Sequence, residues 1–152
     1  MLFVGDNEGL ANVKAFLCQI LHALHRLLKQ ALVDGEAKKL LGEIKRITPQ
    51  KVVAVIVTHY HADHVYGLQE FKNIGAKIYA QGEGRNYLSS ETAKQRLIAS
   101  RIDFAPWVNA STKLMGADVW IDQSYALTVG GIEFKIGRVG PAHAPEDLII
   151  YV

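Results

Sequence analysis

Val52-Val53-Ala54-Val55-Ile56-Val57-Thr58-His59-Tyr60-His61-Ala62-Asp63-His64-Val65-Tyr66-Gly67 is the stretch that decides the reading of this 152-residue chain. Its first six residues are apolar without alternation, the pattern of a strand buried on both faces. That strand delivers His59, His61, Asp63 and His64 at its carboxyl end. Side-chain direction repeats every second residue in extended backbone, so His59 and His61 point the same way, while Asp63 and His64 come from the turn into a following helix. Grouping so many polar side chains without a cation to satisfy them is costly, and imidazole with carboxylate suits zinc, iron or manganese. Thr58 is read as a buttress of the strand end. Tyr60, of alternate direction, is expected to pack away from the metal.

Working outward toward the carboxyl end, Val119–Ile121, Tyr125–Val129 and Ile132–Ile136 read as strands, and Gly130-Gly131 is a two-residue hairpin signal. The chain then passes through Gly140-Pro-Ala-His143-Ala-Pro145-Glu-Asp147 into a last strand from Leu148 to Val152. His143 thus sits in a loop at a strand end, where sites are commonly built. Asp147 is read either as holding a ligand ring by a hydrogen bond or as opening the strand.

Between these segments, Val65 to Asn73 reads as a short helix, Ala76 to Ala80 as a strand and Gln81 to Gly84 as a loop. Ser89 or Ser90 is placed to cap a helix from Glu91 to about Ile102. Upstream, a helix is expected over Glu36 to Ile47 with Leu40, Leu41, Ile44 and Ile47 inward, preceded by an Asp34-Gly35 turn and stopped by Pro49. From Leu10 to Val33 apolar residues recur at helical spacing, so residues 1–30 are read as an amphipathic helical segment apart from the body of the domain, 31–152. The alternation of helices and strands predicts an α/β (α+β) sandwich with a mixed sheet flanked by helices.

Composition narrows the partners. With a formal charge of +2 and basic residues scattered among acidic ones, no nucleic-acid footprint or membrane-binding patch is expected. No apolar span is long enough for a membrane helix, and the amino terminus has no leader pattern, so a cytoplasmic location is expected. The single cysteine, Cys18, excludes an internal disulfide and reads as a buried thiol. His22 and His25 read as ordinary helix-surface histidines.

His59-Tyr60-His61-Ala62-Asp63-His64 resembles the His-x-His-x-Asp-His signature of the metallo-β-lactamase-fold hydrolases. The segment around His143 is similar to the one that supplies their third histidine, and Ala31-Leu-Val-Asp34 to their early Asp motif. The stretch Ala105–Val108, with Asp118–Asp122 and the Gly-Gly hairpin, is similar to the subgroup of quinoprotein-relay and sulfur-oxidation systems. The resemblance implies a four-layer αββα sandwich, of which this chain would be the amino-terminal half. It is accordingly read as a truncated domain lacking the later bridging carboxylate and last histidine. It also implies His59, His61 and His143 on a first metal, with Asp63 and His64 on a second, weaker site and Asp63 orienting the attacking water. Asp34, Asp147 and Thr58 would support the ligands.

The function this implies is a zinc hydrolase in which metal-bound hydroxide attacks an ester, thioester, lactone or amide of a small-molecule substrate. Iron or manganese also fits the donors. The alternative is an inactive metal-binding half-domain that acts through a protein partner or as a homodimer, joined by its amphipathic helix or open sheet edge.

Overall fold

The structure, a computed structural model, describes Leu2–Val4 and residues 34–152. Two sheets stack face to face, and helices cover the outer face of the first, which gives an α-β-β layering. The first sheet has the order β1 (Leu2–Val4), β2 (Val52–Val57), β3 (Lys77–Gln81) and β4 (Val119–Ile121). β2, β3 and β4 run parallel, while β1 pairs antiparallel with β2, Leu2 opposite Val55. The second sheet is an antiparallel meander of β5 (Ser124–Val129), β6 (Ile132–Arg138) and β7 (Leu148–Tyr151). A mixed α/β sandwich is therefore what the chain forms, as its sequence pattern predicts.

β2 carries the frame. Val55 and Val57 pack under the helices, and Ala54 and Ile56 face the second sheet. Burial on both faces explains the unbroken apolar run; only Val53 departs from it, at 38% exposure. The second sheet shows the other pattern. In β6, Phe134 and Ile136 are buried against the first sheet, whereas Glu133 and Lys135 are exposed. Its hairpin turns at Gly130 and Gly131, both at positive φ (57° and 75°), the pair of conformations that a two-residue type I′ turn needs.

Helix α1 (Asp34–Ile47) lays Ala37, Leu40 and Ile44 on the first sheet. Two readings change here. Asp34-Gly35 opens the helix instead of forming a separate turn, and Ile47, expected inward, is 39% exposed at the helix end. The helix expected over residues 65–73 is broken into α2 (Ala62–Val65) and α3 (Leu68–Asn73) at Gly67. Val65, Tyr66, Gly67 and Leu68 are all buried. One straight helix turns each successive residue by about 100° and cannot bury four in a row on one face, so the chain kinks where no side chain resists.

The expected Ser90 cap is present: its Oγ accepts the Ala93 N–H at 3.1 Å and starts α5 (Glu91–Asp103). Just before it, α4 (Gly84–Ser89) forms where a loop reading stopped. At the amino end, Leu2–Val4 is a strand, not part of the helical segment expected over residues 1–30. The helix pattern of residues 10–33, with Cys18, His22 and His25, lies outside the described residues, as does Ala31–Val33 of the early motif. Among the described residues no helix is long and apolar enough to cross a membrane.

Candidate metal centre

The carboxyl end of β2 and the loop between β6 and β7 meet at one place. The Leu148 N–H donates to the Thr58 carbonyl at 2.9 Å, fastening the first residue of β7 to the residue that follows β2. This stitch brings His143 to the His59–His64 segment across a sequence separation that no local pattern encodes.

His59, His61 and His143 each offer a ligand nitrogen, and these atoms all lie within 4.8 Å of one another. A tetrahedral metal with bonds of about 2.0–2.1 Å spaces its ligand atoms about 3.3 Å apart. His61 Nδ1 and His143 Nε2 are already 3.2 Å apart. The three ring centroids are 4.6–4.8 Å apart, and each pair lies edge to face, which aims nitrogens toward a common centre instead of stacking the rings. The donor set fits a divalent cation with one position left open.

The supporting contacts fix which nitrogen is free. His59 Nδ1 lies 3.2 Å from the Thr58 hydroxyl and 3.8 Å from the Asp147 carboxylate, so Nε2 is the atom left to ligate. Burial, and then the neighbouring His64, His61 and His143, hold the His59 imidazole below its usual pKa, despite the opposing pull of Asp147. The neutral, ligating form is thereby favoured. Asp147 is 8% exposed, and its Oδ2 accepts the backbone N–H groups of His143 (2.6 Å) and Ala144 (2.8 Å). Burial alone would raise its pKa, yet the two N–H donors and the facing imidazoles keep its carboxyl below the ordinary range. Thr58 thus lies within hydrogen-bond distance of the His59 ring, whereas Asp147 bonds the His143 loop and stands 3.8 Å from that ring. Asp34 opens α1, and its side chain lies outside what the structure describes.

Asp63 and His64 sit on α2, beside the trio and apart from it. Asp63 Oδ2 is 3.3 Å from His64 Nε2, and the His64 ring is 4.1 Å from that of His59. Burial holds the His64 imidazole below its usual pKa although Asp63 pulls the other way. Tyr60 behaves as its alternate direction requires, with 1% exposure and its ring stacked on Trp120 at 6.2 Å. An ideal Cβ on Gly84 would stand 2.5 Å from that ring, so α4 can approach only as glycine.

Two clefts open beside the histidines. One, of about 340 Å³, is bounded by Tyr60, His61, Asn86, Tyr87, Arg96, His143 and Glu146 among others. The second, of about 470 Å³, shares His61, Tyr87 and Arg96 and runs along the Ala99, Ser100 and Asp103 face of α5. Sequence reasoning missed Arg96 and Glu146. Arg96 is one of many scattered basic residues, and Glu146 is masked by its acidic neighbour Asp147, the carboxylate that directly precedes the apolar strand.

An αββ frame with an open tri-imidazole site at its strand ends is a hydrolase-type metal fold. The family model of the metallo-beta-lactamase superfamily matches residues 31–152, and the chain belongs to that superfamily. It is 24% identical over 145 residues to a linear primary-alkylsulfatase of Pseudomonas sp. (strain ATCC 19151), covering 77% of this chain and 27% of that one. Among solved structures, the BLEG-1 B3 metallo-beta-lactamase matches with a TM-score of 0.56 and 24% identity over 78% of this chain and 53% of the other. The stereoselective inverting sec-alkylsulfatase Pisa1 from Pseudomonas sp. matches with a TM-score of 0.60 and 20% identity over 80% of this chain and 24% of the other. At such identities the structures share the fold. The chain spans about a quarter of each alkylsulfatase and about half of the lactamase.

Proposed function

We propose that this chain supplies the metal centre of a zinc hydrolase acting on an ester, thioester, lactone or amide bond of a small molecule. The observation that carries the reading is the convergence of the His59, His61 and His143 ligand atoms within 4.8 Å, beside a cleft that His61 and His143 border. When bound, the cation polarises the scissile bond and lowers the pKa of a coordinated water from about 15.7 toward about 7. The chain's own residues do the rest. His59 is kept neutral by burial and oriented by Thr58 and Asp147. Asp63, exposed at the start of α2, is the group proposed to accept a proton from the attacking water and aim it. Together with His64 it offers a second, weaker cation site.

Arg96 narrows the substrate. Among the described residues it is the one lysine or arginine bordering either cleft, and it lies beside Tyr87. Of the carboxylates bordering the clefts, Glu83 accepts from Asn86 at 2.6 Å, Glu146 accepts from the Tyr60 N–H, Asp63 lies against His64, and Asp103 stands beyond ion-pair distance of Arg96. Among the described residues Arg96 has no ion-pair partner, so an anionic group on the substrate is its natural occupant. The alkylsulfatase relative, by its name, acts on substrates of that kind, which adds sulfate esters to the bonds worth testing.

The test is hydrolysis by the zinc-loaded protein of matched neutral and anionic esters, thioesters and alkyl sulfates, with Arg96→Met alongside. Chelator-sensitive turnover that favours anions, and loses that preference in Arg96→Met, is expected. Equal turnover of neutral and anionic partners would remove the anion assignment. Metal binding without turnover of any substrate would favour the alternative, a metal-binding domain that works through a protein partner or a second copy of itself.

A further inference from the structure

Glu146 is a carboxylate at 7% exposure, and among the described residues it has no lysine or arginine within ion-pair distance. An unpaired carboxylate is costly to bury. Its hydrogen-bond partner lies 86 residues away: Oε1 accepts the backbone N–H of Tyr60 at 3.0 Å. Tyr60 is the residue between His59 and His61, and Glu146 is on the loop that carries His143. We infer that Glu146 is a positioning residue, a cross-brace that fixes the His-x-His pair relative to the third imidazole.

The mechanics follow from what holds Tyr60. Its ring is buried against Trp120 and fills the space left by Gly84, so it cannot move toward α4. Its backbone N–H is held by the Glu146 carboxylate. The peptide between the two ligands is thereby pinned from both sides, and the angle between the His59 and His61 rings depends on it. Division of labour with the neighbouring carboxylate is clear. Asp147 binds the His143 and Ala144 N–H groups and fixes the loop internally, whereas Glu146 reaches across to the other ligand segment. What the brace requires is an acceptor, not a charge, because its partner is a neutral N–H.

The inference rests on the metal-centre reading, and its test separates the two. Cobalt(II) is loaded into wild type, Glu146→Gln, Glu146→Ala and Glu146→Met, the last filling the volume without accepting a hydrogen bond. Visible spectra report ligand geometry, chelator competition gives the metal release rate, and thermal melts of metal-free protein report folding. Glu146→Gln is expected to keep the wild-type spectrum and a release rate within about threefold, since its amide oxygen still accepts. Glu146→Ala and Glu146→Met are expected to alter the spectrum and release metal about 10–100-fold faster. If both non-accepting variants keep the wild-type spectrum and release rate while melting lower, Glu146 is merely structural and the inference fails. It also fails if Glu146→Gln behaves like Glu146→Ala, because charge would then be what matters. A wild type that takes up no cobalt would overturn the metal centre itself, and the brace with it.

Discussion

The two segments that bring ligands to the metal centre are built on different principles. His59 and His61 leave the end of a strand buried on both faces, and backbone periodicity sends both side chains to one side of the chain. His143 stands in a loop without regular structure, exposed, and depends on carboxylates for its place: Asp147 within the loop, Glu146 across to Tyr60. One segment inherits its order from the core. The other acquires it from hydrogen bonds. A fold can thus present a rigid half-site early in its sequence and complete it with a distant loop, provided that loop carries its own acceptors.

The largest expected effect attacks the core-built side. Ile56→Ala, on the face of β2 that meets the second sheet, should cost about 2–5 kcal/mol in denaturant unfolding of the metal-free protein. A loss under about 1 kcal/mol would mean that β2 does not anchor the site.

Next comes the bonded side. Asp147→Ala leaves two N–H groups without their acceptor and should weaken zinc binding by about 10–100-fold in a chelator competition. Asp147→Asn, which keeps one acceptor oxygen, should fall between that variant and wild type. Equal affinity in all three would show that the loop is ordered by something else.

Acid should separate the segments further. The His59 pKa in the metal-free fold is depressed, so its contribution to stability is complete above the unfolded value of about 6.5 and is lost as the pH falls through the lower folded value. Melting temperatures of metal-free protein should therefore drop below pH 6.5, and His59→Asn should flatten that drop. An unchanged pH profile in His59→Asn would remove the burial argument.

The smallest effect is expected at Thr58, whose hydroxyl shares the His59 Nδ1 with Asp147. Thr58→Val should reduce zinc affinity less than about tenfold. A loss as large as that of Asp147→Ala would make Thr58 the principal orienting group.

These two principles also mark what the sequence could disclose. The buried strand, its histidine pair, the Gly130-Gly131 turn and the Ser90 cap are local patterns, readable because period and turn chemistry act over a few residues. The break at Gly67 was not, since it arises from four consecutive residues competing for one buried face. His143 needed the family resemblance to be singled out, because its partners lie 79 or more residues away. Glu146 escaped for the same reason, its partner Tyr60 lying 86 residues away, and Arg96 because it is one of many scattered basic residues.

The most direct test of the account is metal content per chain, by elemental analysis of protein freed of chelator, in wild type, His59→Ala and His143→Ala. About one equivalent of a divalent metal is expected in wild type, with both substitutions abolishing it. Retention of the wild-type amount by His143→Ala would contradict it, since the loop and its carboxylates would then complete nothing.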